Sequence, residues 1–306
     1  MSISTVFWQT FIFFIFIFIG NWSIRKGIVT PQGNKSISAL IVNVFNPAMI
    51  IGSLMKRSDY TSRDLVLKVF IIALCVYAFY IIFAELTNRF FSKDMDERKM
   101  YRLMVVFSNV GYFGVPMINA IYGANALIYV TIFVFIFNVL VYTYGISVLR
   151  SGKSDGPKFE LKNFINVGTL ASLAALIIFL FDIRFPELFE RNMISLGDVT
   201  TPLAMMSIGF LLGTASLKDI FLQKRLLILT LIKMLVFPTI AVFLLKMTGL
   251  PLQVIGTCAL MVAMPNGNLP VVLANQYGLD AVLGSEGVIM STLVSIVTLP
   301  LVAMTL

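Results

Sequence analysis

The chain carries one pattern twice, 155 residues apart. Pro47 recurs as Pro202, and Arg63-Asp64-Leu65-Val66-Leu67 recurs as Lys218-Asp219-Ile220-Phe221-Leu222. Tyr122-Gly123-Ala124-Asn125-Ala126 recurs as Tyr277-Gly278-Leu279-Asp280-Ala281. These matches lie in separate segments yet share one register, which a single chance similarity does not explain. Each copy also holds five stretches near the roughly 20 apolar residues that a membrane-spanning helix needs. An odd number of spans turns the second copy over relative to the first, so the repeat is inverted. Inverted repeats mark secondary transporters, whose substrate site lies where the copies meet. The expected fold is an all-α polytopic membrane protein of ten transmembrane helices. They form two inverted five-helix repeats, residues 1–150 and 163–306, joined by a polar linker at 151–162.

Composition narrows the chemistry. Of 306 residues, 58% are hydrophobic and 12% are charged, about half the charge of a soluble domain. No histidine is present, which removes imidazole metal sites, Ser–His–Asp triads and imidazole proton relays. The two cysteines, Cys75 and Cys258, lie far apart in apolar stretches and form no CxxC pair. No phosphate-binding P-loop is found, so ATP hydrolysis is not indicated. The net charge of +8 is read as cytoplasmic loops facing anionic lipid rather than as a nucleic-acid surface. Thr5–Ile24 lacks a basic leader and a small-residue cleavage site, so it is read as the first span.

The spans fall near 5–24, 36–55, 65–86, 101–121 and 125–149, then 163–182, 194–215, 226–246, 252–275 and 285–306. The fourth, seventh and ninth are the least apolar, and a loop is expected around Asp64 and Asp219. With the N-terminus outside, 15 of the 23 Lys and Arg residues fall in inside loops and 7 in outside loops. That bias puts both termini outside and 150–162 in the cytoplasm.

Two spans are interrupted at equivalent places. The fourth reads Phe107-Ser108-Asn109-Val110-Gly111-Tyr112-Phe113-Gly114-Val115-Pro116, and the ninth reads Ala263-Met264-Pro265-Asn266-Gly267-Asn268-Leu269-Pro270. Proline removes a backbone donor and clashes with the preceding turn. Freed backbone groups at membrane depth are tolerated only beside protein or a water-filled cavity. Helix ends exposed there carry partial charge, positive at N-termini, which suits an anion. Asn109, Asn266 and Asn268 can bind a polar solute or satisfy the freed backbone. Asn43 and Asn46 precede Pro47, as Asp198 and Thr201 precede Pro202. They suit either a site contact or helix–helix hydrogen bonding.

With Asn43-Val44-Phe45-Asn46-Pro47-Ala48 and Asn275-Gln276-Tyr277-Gly278-Leu279-Asp280, these interrupted motifs resemble the auxin efflux carrier family, in particular its prokaryotic branch of malonate and malate permease-like transporters. The resemblance covers the whole chain. It implies that broken helices 4 and 9 cross to form the transport domain. The remaining helices make a scaffold, often homodimeric, around spans 1, 2 and 7 or their repeat mates. The loop after span 5 is short, unlike that of the plant carriers, which argues against auxin itself as the solute.

Lys233 stands well inside span 8, opposite Ala78 in the first copy. A cation at this depth faces the bundle interior and has a partner. It either attracts a carboxylate or bonds a carbonyl near the break. Glu85 is expected as an interfacial charge, Glu286 as a favourable helix N-terminal charge, and Phe11–Ile19 as lipid-facing or scaffold surface.

The functional expectation is secondary transport of a small organic anion across the cell membrane by alternating access. The candidate binding residues are Asn43, Asn46, Asn109, Gly111, Pro116, Lys233, Pro265, Asn266, Asn268 and Pro270. No cofactor, nucleic acid or enzymatic activity is expected, and coupling to H+ or Na+ stays open. The alternatives are a cation/proton antiporter or bile-acid-type symporter of the same plan, and a transporter-like sensor. The absence of a carboxylate in spans 4 and 9 speaks against direct cation exchange.

Overall fold

The computed structural model describes residues 3–55, 62–151, 166–214, 217–279 and 281–306. Among the described residues the chain is helical, with no strand. The first half contains α1 (Ile3–Arg25), α2 (Pro31–Leu40), α3 (Asn46–Met55), α4 (Arg63–Phe91), α5 (Met95–Val106), α6 (Val115–Tyr122), α7 (Leu127–Leu140) and α8 (Ile146–Arg150). The second contains α9 (Val167–Leu180), α10 (Glu187–Asp198), α11 (Thr200–Thr214), α12 (Leu217–Leu222), α13 (Lys224–Leu231), α14 (Phe237–Lys246), α15 (Leu252–Ala263), α16 (Leu269–Gln276) and α17 (Val282–Met304).

Seven helical runs are long and apolar enough to cross a membrane: Ser4–Arg25, Pro31–Met55, Arg63–Phe91, Ala124–Arg150, Glu187–Gly213, Lys224–Lys246 and Val282–Met304. These make the chain a multi-pass membrane protein. The other expected spans are shorter in the described residues. The fourth is divided between α5 and α6, the ninth between α15 and α16, and the sixth is α9. The seventh, expected to be among the weakest, is one of the seven long runs, because only Val199 separates α10 from α11. From residue 152 on, the expected linker lies outside the described residues.

Element ends keep the 155-residue register. α4 ends at Phe91 and α14 at Lys246, and the turns after α6 and α16 contain Gly123 and Gly278 with φ of 77° and 73°. Glycine alone adopts such angles without steric cost. The loop expected at Asp64 and Asp219 is helical in both copies. In the first copy the reason is a cap. Asp64 N–H donates to Ser62 Oγ at 3.2 Å, and an acidic side chain in the first turn suits the helix N-terminus.

Pro47, Pro116 and Pro238 each stand second in an α-segment that comes after a π-turn, at Ile41–Phe45, Val110–Gly114 and Ile232–Val236. Proline cannot donate to the carbonyl four residues back and its ring crowds it. The wider π-turn places an extra residue there and relieves both problems without ending the helix.

Glycines set how closely the rods approach. A Cβ on Gly209 of α11 would overlap the Ile17 carbonyl of α1, and a Cβ on Gly197 of α10 would lie 2.6 Å from Met49 Cα of α3. α1, α3, α10 and α11 therefore pack backbone to backbone, as small residues allow between membrane helices. Phe11, Ile15, Phe18 and Ile19 of α1 face outward while Phe13 and Ile17 are buried. Outward apolar side chains are what a lipid solvent accepts. Polar side chains such as Asn109, Lys233 and Asn266 are enclosed inside the bundle instead.

Candidate functional site

α5 stops at Val106 and helix resumes at Val110; α15 stops at Ala263 and helix resumes at Leu269. The sequence explains both stops. Gly111 and Gly114 loosen the first segment, while Pro265 and Pro270 deny the second its backbone donors. The two extended stretches meet antiparallel at Ser108 and Asn266. Asn109 N–H donates to Pro265 O at 2.7 Å, and Gly267 N–H donates to Phe107 O at 3.0 Å. Each stretch thus supplies the partner that the other lost, which is the condition for irregular backbone at this depth. Gly267 permits the approach, since a Cβ there would stand 3.2 Å from Ser108 O.

Asn266 is held on every side. Its N–H donates to Ser291 Oγ at 2.9 Å and its Nδ2 to Gly287 O at 3.1 Å, while its Oδ1 accepts from Lys233 Nζ at 2.8 Å. Lys233, 1% exposed, also donates to Met104 O in the last turn of α5. Of the two readings of Lys233, the geometry matches the one in which it bonds a carbonyl beside the interruption.

Asn109 differs. It is 4% exposed, its backbone is paired, and its Nδ2 has no partner. Ser108 Oγ and Asn46 Oδ1 are likewise buried without a partner. Leaving one such group unpaired costs about 1–3 kcal/mol, so three beside one another need an explanation. All three line one cleft, together with Gly111, Asn138 and Asn268. A Cβ added to Gly111 would sit 3.7 Å from Asn46 Oδ1, so glycine leaves that face open. Among the described residues no Asp or Glu lines the cleft. Two helical segments resume at its edge, at Val110 and Leu269; Val110 N–H donates to Ser108 O at 2.8 Å and Val271 N–H to Asn268 O at 3.0 Å, and Pro270 has no N–H.

The cleft therefore gathers Asn46, Asn109, Gly111 and Asn268. Pro265, Asn266 and Lys233 lie behind it and hold the backbone. Pro116 lines a separate cleft with Ala48, Asn119, Asp198 and Thr201. Pro270 is buried in the first turn of α16. Asn43 is exposed and donates to Ala39 O at 2.9 Å, one turn back in its own helix. Asn138 and Asn166 were not singled out in the sequence, yet both line the cleft. Asn138 interrupts the largely apolar run Leu127–Leu140, a polar placement at membrane depth that was a readable signal. Asn166 caps α9 through Thr169 N–H at 2.9 Å. Among the described residues, no group of three or more Asp, Glu, Cys or His is placed to hold a metal ion.

The profile of the family described as "Membrane transport protein" matches residues 5–303. A curated relative from Methanothermobacter thermautotrophicus, named an uncharacterized transporter, is 26% identical over 282 residues, covering 90% of this chain and 90% of its own length.

Proposed function

The chain belongs to the membrane transport protein family, that of the auxin efflux carriers, and we propose on that premise that it carries a small organic anion, a mono- or dicarboxylate, across the cell membrane by alternating access. The observation that carries this reading is the cleft with three buried, unpartnered polar atoms, Asn109 Nδ2, Ser108 Oγ and Asn46 Oδ1. Donors from Asn109 and Ser108 suit a carboxylate. The acceptor on Asn46 suits a solute that also carries a hydroxyl or a protonated second carboxyl. Among the described residues no carboxylate lines the cleft, which disfavours cation exchange.

In this reading the interrupted segments are broken, crossing helices 4 and 9 of two inverted five-helix repeats. They move together against a scaffold of α1, α3, α10 and α11, through which a homodimer forms. Both termini face outside and residues 150–162 face the cytoplasm, in line with the Lys and Arg bias. The clefts on either side of Val115 and Pro116 would open in turn.

Proteoliposomes holding the full chain test this with a panel of radiolabelled carboxylates. At least one should be taken up and released by counterflow, and imposed H+ or Na+ gradients then identify the coupling ion. If no carboxylate moves while a cation gradient dissipates, the chain exchanges cations and the anion reading fails.

A further inference from the structure

The basic residues between spans 3 and 4 do more than mark one face of the membrane. The C-terminal end of α4, the first turns of α5 and the end of α8 enclose a wide cavity, lined by Glu85, Arg89, Arg98, Lys99, Arg102 and Ser151 among others. Among the described lining residues four cations thus face one carboxylate, and that carboxylate is occupied. Glu85 Oε1 accepts from Tyr144 OH at 2.8 Å and from Arg102 Nε at 3.0 Å. Lys99, 6% exposed, is held by Asp96 at 2.9 Å, and Arg98 Nε donates to Ser92 O at 3.0 Å. Those bonds fix where the cations stand while leaving further N–H donors on each. Among the described residues Arg89 has neither a hydrogen-bond nor an ion-pair partner.

The cavity also has an apolar approach. Leu86 lines it and is 70% exposed, and Ile82 and Phe90, 59% and 82% exposed, stand one turn to either side on the same face of α4. A positively charged cavity at the polar end of a lipid-facing stripe matches an amphiphile with an anionic head. A free phosphate would satisfy the cations but has no use for the stripe.

We propose that this cavity binds the phosphate of an anionic phospholipid, whose acyl chains lie along Ile82, Leu86 and Phe90. The Lys and Arg bias puts it on the cytoplasmic leaflet, where cationic pockets between membrane helices meet anionic headgroups. A bound headgroup ties together the polar ends of α4, α5 and α8. α5 runs from there to Met104, whose carbonyl holds Lys233. The site is independent of which solute is carried.

The test uses the full chain in neutral detergent, titrated separately with phosphatidylglycerol, phosphatidylcholine and inorganic phosphate. Thermal midpoint and the lipid retained per chain in native mass spectrometry are read together. Phosphatidylglycerol should raise the midpoint saturably and be retained, whereas phosphatidylcholine and inorganic phosphate should do neither. Arg89→Gln and Arg98→Gln should each weaken the apparent affinity for phosphatidylglycerol by about fivefold. Lys246→Gln, at a different helix end, should leave it unchanged. Arg89 has no partner to lose, so its variant reports on binding without a folding defect. A saturable rise with inorganic phosphate equal to that with phosphatidylglycerol would replace the lipid by a soluble anion. No saturable response to phosphatidylglycerol, or one untouched by Arg89→Gln, would remove the site.

Discussion

The two interruptions look alike in sequence and are used differently. In the second copy Asn266 is tied to Lys233, Gly287 and Ser291, so every polar atom of its side chain has a partner. In the first copy Asn109 has a paired backbone and an unpaired amide, beside an unpaired Ser108 hydroxyl. One interruption is bolted to its neighbours while the other presents groups to a cleft. The difference teaches that two interruptions meeting antiparallel share a backbone geometry, and that the side chains around each decide whether its asparagine is held. Lys233 is the clearest such side chain, since its Nζ holds Asn266 while Ala78, 155 residues earlier, has no polar side chain.

Variants can break this contrast in a definite order. Asn266→Ala should have the largest effect on stability. It leaves Lys233 buried with only Met104 O as partner and removes one donor from Gly287 O. Leaving buried donors without a partner costs about 1–3 kcal/mol each, so thermal unfolding of the purified protein should shift down clearly. Gly267→Ala should come next. Its Cβ, 3.2 Å from Ser108 O, must push the two stretches apart, at about 1–3 kcal/mol; the same melting experiment reads it, and transport should fall in parallel. Asn43→Ala should change least. Its side chain bonds only its own helix and is exposed, so stability should stay within about 0.5 kcal/mol and uptake should match wild type. A strong uptake defect there would return Asn43 to the site and enlarge the cleft beyond its present lining.

Much of the architecture was legible before the structure. The third span, expected at 65–86, is Arg63–Phe91; the helix outlasts the expected span by continuing through Thr87, Asn88 and Arg89 to Phe91. The interruptions were legible because glycine and proline act through local backbone physics. Which asparagine is free could not be read. That depends on Lys233, 33 residues away in the chain, reaching Asn266. Asn43 and Asn46 stand three apart, as if on one helix face, but Asn43 lies within the π-turn Ile41–Phe45 and Asn46 opens the α-helix after it. One extra residue rotates the downstream helix by about 100°, which separates an exposed Asn43 from a cleft-lining Asn46. Pro116 was grouped with Gly111 by proximity in sequence, yet more than a turn of helix puts them in different clefts.

The central claim is that the first interruption binds and the second holds. Asn109→Ala tests it most directly, with thermal midpoint and carboxylate KM measured on one proteoliposome preparation. The account predicts a midpoint close to wild type and a KM raised about tenfold or more, the loss of one hydrogen bond to a charged group. An unchanged KM, or a midpoint that falls as far as that of Asn266→Ala, would contradict it.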